Sequence, residues 1–216
     1  MEGDVDEIIR APRGRTMKVL VIGAAGRTGT HVVEQGLARK HEITAFSRRP
    51  TAAKSFAGAR ALTGDATDVA ALRQAVRGQE AVISAVGCSA IAAALVEVMS
   101  EEGVRRLVMT SSRSVVATRP RLMVGLAWMR FRCEYADLAR AEGMLETSAL
   151  DWSIVRGTML VDKPAAGRVH IDFEANASGG DWRLTRADYA MALLDVAEDP
   201  RYVRRSLGVG GPRKNT

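Results

Sequence analysis

Residues 17–29, MKVLVIGAAGRTG, determine the fold that this sequence predicts. Residues 17–23 form an almost continuous apolar run that ends in glycine, which is typical of a strand buried on both faces of a sheet. Thr28–Arg39 then carries apolar residues at helical spacing, so a helix follows the strand directly. The three glycines of this stretch therefore lie in a tight turn between a buried strand and a helix.

Each glycine of the turn has its own physical role. Gly23 allows a sharp exit from the strand, Gly26 lets backbone N–H groups approach a diphosphate, and Gly29 lets the helix pack closely on the sheet. The helix N-terminus adds unpaired donors and a positive dipole end. A tight turn without a ligand would show the same spacing, but the strand-turn-helix context favours a dinucleotide site. We expect the dinucleotide to contact Gly23, Ala25, Gly26, Arg27, Thr28 and Gly29.

Strands and helices alternate along the rest of the chain. The first half predicts strands at Ile43–Ser47, Ala59–Thr63, Ala81–Val86 and Arg106–Thr110, with helices at Asp68–Arg77 and Ala90–Glu102. The second half predicts a loop at Ser111–Arg121, a helix at Leu122–Thr147 with a possible break at Gly125, strands at Trp152–Arg156, Val169–Phe173 and Ser206–Val209, and a helix at Arg186–Glu198. This alternation predicts an α/β fold with a Rossmann-type doubly wound parallel sheet.

The length of 216 residues, with 47% hydrophobic and 26% charged residues, is typical of one soluble domain. We expect a flexible tail at residues 1–16 and one domain at 17–216, with a small substrate cap from segments near 111–133 and 157–182. No apolar stretch approaches the ~20 residues of a membrane helix. Cys88 and Cys133 show no metal-ligand spacing and indicate reduced thiols in a cytoplasmic protein, with no metal site.

The net charge of +6 could indicate nucleic acid or a phosphate-bearing small ligand. The basic residues are scattered and aromatic residues make up only 5%, so we expect no nucleic-acid partner and no membrane partner. One group of arginines follows the fifth predicted strand and could attract an acidic substrate, although a solvated surface explains it nearly as well: Arg113, Arg119, Arg121, Arg130 and Arg132.

The end of the second predicted strand indicates which cofactor binds. An NAD-preferring fold places an acidic residue there, on the ribose hydroxyls. This chain has Ser47-Arg48-Arg49-Pro50 instead, and two guanidinium groups could hold a 2′-phosphate through forked, charge-assisted hydrogen bonds. The sequence therefore predicts NADP(H) in preference to NAD(H), with Arg48 and Arg49 as the phosphate ligands and Arg27 as a second candidate. A solvated basic turn is the alternative.

Several motifs together carry a family resemblance. They are the glycine turn, Ser47–Pro50, Gly64-Asp65, Ser84-Ala85-Val86-Gly87, Ser148–Trp152, Ile154–Arg156 and Arg186–Asp188. With these motifs the chain resembles the atypical short-chain dehydrogenase/reductases, and among them the NmrA-like and biliverdin-IXβ/flavin reductase subgroup. The resemblance runs from Met17 to about Val209.

The resemblance implies roles for residues that follow the strands. It places Asp65 and Ala66 at the adenine, and Ala85, Val86 and Gly87 at the ribose and pyrophosphate. It places Thr110, Ser111 and Ser112 beside the nicotinamide, which would be covered by the segment that contains Arg156, Gly157 and Thr158. The family usually has proline where this chain has Gly157, so a more mobile covering loop is expected.

Typical members of the wider superfamily use a Tyr-x-x-x-Lys pair, but Tyr135 is followed four residues later by Ala139. The resemblance therefore implies hydride transfer from NADPH to a conjugated small molecule, such as a flavin, quinone, tetrapyrrole or polyketide-like aromatic, with the proton supplied by water. A flavin would be a substrate here and not a bound prosthetic group. Ser111 and then Ser112 are the catalytic candidates, and Trp128 and His170 are weaker substrate candidates, His170 being more consistent with a surface residue.

Two alternatives to this function remain open. One is an NADP(H)-binding regulator without turnover, as some NmrA-like proteins are. The other is a carbonyl reductase or epimerase that uses another acid. The chain is expected to act on a small molecule as a monomer or a homodimer.

Overall fold

The structure, a computed structural model, describes residues 15–49, 56–119, 121–176 and 180–212. Its strands are β1 Lys18–Ile22, β2 Glu42–Ser47, β3 Arg60–Thr63, β4 Ala81–Ser84, β5 Arg106–Ser112, β6 Asp151–Gly157, β7 Met159–Val161, β8 His170–Asp172, β9 Arg183–Thr185 and β10 Arg205–Gly210. Its helices are α1 Arg27–Ala38, α2 Val69–Val76, α3 Ser89–Glu101, α4 Arg121–Glu146 and α5 Arg186–Glu198. Short 3-10 turns lie at Arg113–Val115 and Pro200–Tyr202. The predicted tail lies almost wholly outside the described residues, as does Pro50.

The main sheet has the strand order β3-β2-β1-β4-β5-β6-β10-β8. All neighbours pair in parallel except β8, which runs antiparallel to β10. The predicted doubly wound parallel α/β fold is therefore confirmed. The chain order reverses between β1 and β4, and in such sheets a ligand binds at that point, beyond the carboxyl ends of the strands.

The first strand is apolar throughout because both of its faces are buried. Val19 and Val21 pack into one apolar layer with residues of α1 and α5, whereas Leu20 and Ile22 pack into the opposite layer with residues of α2, α3 and α4. Helices thus cover both faces of the sheet. A ligand can therefore reach the sheet only at the edge formed by the ends of its strands.

The segment after β5 differs from the sequence prediction. Strand β5 extends to Ser112, and α4 continues through Gly125 without a break. The helical backbone is interrupted instead at Phe131, with φ −125° and ψ 30°. The aromatic ring of Tyr135 packs there against those of Trp128 and Phe131, with centroids 5.4 and 5.9 Å apart. A helix tolerates an isolated glycine, so the helix continues through Gly125, and its bend lies at Phe131 instead.

The second predicted cap segment is divided between two sheets. Strand β7, within that segment, pairs with β9, just beyond it, in a small parallel sheet of their own. His170–Asp172, in contrast, joins the main sheet as its edge strand β8. His170 is only 9% exposed, so the expectation of a surface histidine is wrong.

Arg113 is not part of a basic substrate mouth, and its place in that predicted group is corrected. Its side chain is 1% exposed and forms a forked pair with Asp172 of β8 at 2.8 and 2.9 Å. The same guanidinium donates to the carbonyl of Glu174 and lies so close to Gly208 that a Cβ atom there would be 1.6 Å from Nη2. Arg113 therefore ties the edge strand to the sheet.

Within the described part of the chain, none of the helices combines the length and apolarity that a membrane crossing requires. The same residues contain no group of three or more His, Cys, Asp or Glu side chains that could hold a metal ion.

Candidate nucleotide-binding and hydride-transfer site

The glycine turn leaves no room for side chains. Gly23 has φ +74°, a conformation that favours glycine, and a Cβ atom there would lie 2.5 Å from Cγ2 of Val86. A Cβ atom at Gly29 would lie 2.1 Å from the carbonyl oxygen of Gly23. The Gly26 N–H donates to that same oxygen at 2.8 Å. The turn is therefore as compact as the sequence predicted.

The N-terminus of α1 is available to an anion. Gly26 caps the helix in an extended conformation with no side-chain hydrogen bond, and the first turn contains no acidic residue. Helix N-terminal N–H groups and the helix dipole both favour a bound negative charge in such a place. Arg27 in this first turn pairs with Asp162 at 3.3 Å, and Asp162 also pairs with Arg186.

Because Gly29 packs directly on the turn, we expect Gly29→Ala to weaken NADPH binding at least about tenfold, since a displaced turn loses its amide contacts with the diphosphate. Isothermal titration calorimetry measures the change. Gly143→Ala in α4 is the matched control, because nothing lies within 4 Å of its Cβ position. Unchanged NADPH affinity in the Gly29 variant would contradict the assigned role of the turn.

The carboxyl ends of β2 and β3 carry the predicted adenosine site. Arg48 and Arg49 are exposed there. Asp65 accepts hydrogen bonds from the backbone and hydroxyl of Thr67 at 2.9 and 2.8 Å. These bonds, with a smaller effect of the nearby charge of Arg48, hold the pKa of Asp65 below its usual value. Ala66 is 6% exposed and packs in the apolar core.

The carboxyl end of β4 packs directly against the glycine turn, through Gly23 and Val86. Val86 is 38% exposed, and the hydroxyl of Ser84 donates to its carbonyl at 2.8 Å. A Cβ atom at Gly87 would lie 2.3 Å from Cδ2 of Leu138 and 2.7 Å from the carbonyl of Thr110. Gly87 thus lets α4 approach the ends of β4 and β5 closely.

A buried polar cluster joins β5, β6 and α4. The hydroxyl of Ser111 donates to Oε1 of Glu142 at 2.6 Å. Arg156 donates to both oxygens of the same carboxylate, from Nε at 3.1 Å and from Nη2 at 2.8 Å. Glu142, which the sequence motifs did not indicate, therefore brings two predicted site residues together, Ser111 and Arg156.

Glu142 could have been found from its position on the helix. It lies four residues after Leu138, next to the fully buried Ala141 and three residues before the fully buried Leu145. Glutamate is almost never fully buried unless it is paired, so a glutamate on the buried face of a helix indicates a charged partner. Its actual partner, Arg156, lies 14 residues further along the chain.

Backbone hydrogen bonds attach the segment after β6 to neighbouring strands, although the sequence predicts a more mobile loop there. The Thr158 N–H donates to the Val209 carbonyl, and the Met159 N–H to the Trp182 carbonyl, both at 3.0 Å. A Cβ atom at Gly157 would lie 3.2 Å from the ring of Tyr189. Glycine in place of the usual proline therefore makes room for a buried tyrosine.

Neither tyrosine near the site resembles an activated general acid. The hydroxyl of Tyr189 is fully enclosed, donates to the Val155 carbonyl at 2.6 Å and contacts the hydroxyl of Thr110. Burial raises the pKa of this phenol well above its usual value. Tyr135 packs in the aromatic group at the bend of α4, with Ala139 where a lysine would stand.

The other predicted residues lie around this edge. The hydroxyl of Ser112 accepts the N–H of Ser114 at 3.3 Å. Trp128 is half-buried and its indole N–H donates to the Ser114 carbonyl at 2.9 Å, which places it beside the end of β5. His170 pairs with Gly210 near the carboxyl end of β10, two strands away from β6. Ser112 and Trp128 therefore lie at the end of β5, next to Ser111, whereas His170 lies in the edge strand of the sheet.

Comparison with known proteins identifies the family. A family model described as NAD(P)H-binding matches residues 23–200. This chain belongs to the NAD(P)H-binding family. The cofactor that this family binds, a nicotinamide dinucleotide, carries hydride.

Three similar proteins each share less than a quarter of their sequence with this chain. The uncharacterized protein YwnB of Bacillus subtilis is 24% identical over 206 residues, which is 86% of this chain and 94% of YwnB. A short-chain dehydrogenase/reductase of Veillonella parvula in complex with NADP has a TM-score of 0.81 and 22% identity over 92% of this chain and 96% of its own. ChuY of Escherichia coli O157:H7, an anaerobillin reductase, has a TM-score of 0.80 and 24% identity over 92% of this chain and 98% of its own. Both structures share the fold.

Proposed function

We propose that this protein is an NADPH-dependent reductase that transfers hydride to a conjugated small-molecule acceptor. The observation that carries the proposal is the end of β5 beside the glycine-turn edge of the sheet, where the hydroxyl groups of Thr110, Ser111 and Ser112 are found and neither nearby tyrosine is activated. Such a site suits an acceptor that needs hydride from the protein-bound cofactor and can take its proton from water.

The preference for NADPH rests on the end of β2. Arg48 and Arg49 are exposed at the position where an acidic residue would select NAD. The nearby charge of Arg48 helps to lower the pKa of Asp65, but the Asp65 carboxylate accepts its hydrogen bonds from Thr67 and not from Arg48. Two exposed guanidinium groups can receive a 2′-phosphate with forked hydrogen bonds. The Veillonella parvula neighbour, which binds NADP on the same fold, supports this choice.

The proposed reaction is a two-electron reduction of the acceptor. A bound NADPH would supply a hydride to an electron-poor carbon or nitrogen of the acceptor, and the proton would come from water, so that the products would be NADP⁺ and the acceptor reduced by two electrons. Ser111 at the end of β5 orients the reactants, with Ser112 next to it. The anaerobillin reductase of Escherichia coli supports a tetrapyrrole among the candidate acceptors.

Steady oxidation of NADPH, followed by its absorbance, tests this function with FMN, quinones and biliverdin as acceptors. We expect at least one conjugated acceptor to be reduced and Ser111→Ala to lower kcat/KM about tenfold, because one orienting hydrogen bond is lost. Ser100→Ala is the control, since its hydroxyl only donates to the Val96 carbonyl within α3. Tight NADPH binding with no acceptor reduced would favour an NADP(H)-binding regulator.

A further inference from the structure

Glu142 is the residue on which the buried cluster at the end of β5 converges. Glu142 is 5% exposed. It pairs with Arg156, whose side chain is 16% exposed. Both carboxylate oxygens are used, since Oε2 accepts from Arg156 and Oε1 accepts from Arg156 and from Ser111. A carboxylate removed from water in this way is held only by its complete set of partners.

The pairing fixes the direction of the Ser111 hydroxyl group. As the partner of a guanidinium, Glu142 is a carboxylate, and a carboxylate can only accept hydrogen bonds. The hydroxyl hydrogen of Ser111 is therefore committed to Glu142 at 2.6 Å. What the Ser111 oxygen can offer to a third group is a lone pair and not a proton.

We propose that Glu142 is a positioning residue that makes Ser111 a hydrogen-bond acceptor for the nicotinamide half of the cofactor. The inference rests on the proposed function, which places the nicotinamide at the ends of β5 and β6. The carboxamide of nicotinamide carries two N–H donors, so an acceptor with a fixed lone pair recognises it. Arg156 balances the charge of Glu142 and keeps the carboxylate in place.

The chemical consequence concerns the source of the proton. Ser111 cannot deliver a proton to the substrate while its hydrogen is bound to Glu142. Its effect on turnover is therefore orientation of the nicotinamide ring, with proton delivery left to water. Glu142 acts on the cofactor through Ser111, with Arg156 balancing its charge, which predicts that the side chains of Glu142 and Ser111 act as one unit in cofactor binding.

A double-mutant cycle with two ligands tests this role. NADPH reports on the whole cofactor, whereas 2′,5′-ADP reports on its adenosine half only. We expect Glu142→Gln and Ser111→Ala each to weaken NADPH about tenfold and 2′,5′-ADP less than about twofold. The double variant should bind NADPH no more weakly than the worse single variant, because groups that act as a unit are not additive. Glu146→Gln, exposed one turn later in α4, is the control.

Two results would overturn the proposal. Equal weakening of both ligands by Glu142→Gln would mean general damage, and additive losses in the double variant would mean that Glu142 does not act through Ser111. If Glu142→Gln fails to fold, Glu142→Gln/Arg156→Met removes both buried charges. That pair should fold, and adding Ser111→Ala to it should weaken NADPH no further, whereas a further loss would show that Ser111 acts without Glu142. Failure of the pair to fold would reduce Glu142 to a role in stability.

These outcomes are distinct from those of the proposed function. A protein that binds NADPH and reduces no acceptor contradicts the reductase proposal, yet its cofactor affinities still decide whether Glu142 acts through Ser111. A protein that reduces acceptors while the cycle is additive keeps the reductase proposal and loses this inference.

Discussion

Replacement of both arginines at the end of β2, Arg48→Ala/Arg49→Ala, is expected to weaken NADPH binding about 100-fold and NADH binding less than about threefold. Each guanidinium that donates to a phosphate contributes about 1.5–3 kcal/mol. NADH has no 2′-phosphate and loses only the general attraction of two positive charges. Isothermal titration calorimetry with both cofactors measures the two changes at one salt concentration.

A matched control removes the same charge from the opposite edge of the sheet. Lys18 begins β1 and Arg60 begins β3, and both are exposed. Lys18→Ala/Arg60→Ala should change both affinities by less than about twofold, because surface charges farther apart than a Debye length of about 10 Å are largely screened. Equal weakening of NADPH and NADH by the Arg48/Arg49 variant would refute the phosphate assignment.

Arg113→Met is expected to lower the free energy of unfolding by about 3–5 kcal/mol, the largest stability effect that the structure predicts. The substitution leaves Asp172 of the edge strand β8, whose side chain is 9% exposed, without its guanidinium partner. It also removes the guanidinium that packs against Gly208 and donates to the Glu174 carbonyl. Urea unfolding followed by circular dichroism measures the loss.

The double variant Arg113→Met/Asp172→Asn separates the charge from the packing. With both charges gone, most of the lost stability should return, because removing a whole buried pair is far less costly than removing one partner. A single variant within about 1 kcal/mol of the wild type would show that Arg113 is not a structural cation. It would also return Arg113 to the group of arginines that could attract a substrate.

The fold was predictable because its signals are local. Val19 and Leu20 are both buried, on opposite faces of β1. A strand covered on both faces must be apolar throughout, and the sequence shows that apolar run directly. The glycine turn was predictable for the same reason, since Gly23 and Gly29 meet within six residues of each other. Short-range geometry of this kind leaves a pattern in the sequence that can be read without the structure.

The parts that the sequence did not predict depend on contacts between distant residues. Arg113 meets Asp172 across 59 positions, so nothing near Arg113 marked it as buried rather than as part of a basic surface. Ser111 meets Glu142 across 31 positions, and the role of Glu142 became visible only when α4 was placed beside β5. His170 lies in an edge strand whose pairing with β10 the alternating pattern could not indicate.

The most direct test of the whole account is a crystal structure of the protein with NADP⁺ bound. We predict the diphosphate at the N-terminus of α1, the 2′-phosphate within hydrogen-bond distance of Arg48 or Arg49, and the nicotinamide carboxamide beside Ser111, with its hydroxyl still bound to Glu142. A cofactor whose nicotinamide lies away from the ends of β5 and β6, or whose 2′-phosphate contacts neither arginine, would contradict it.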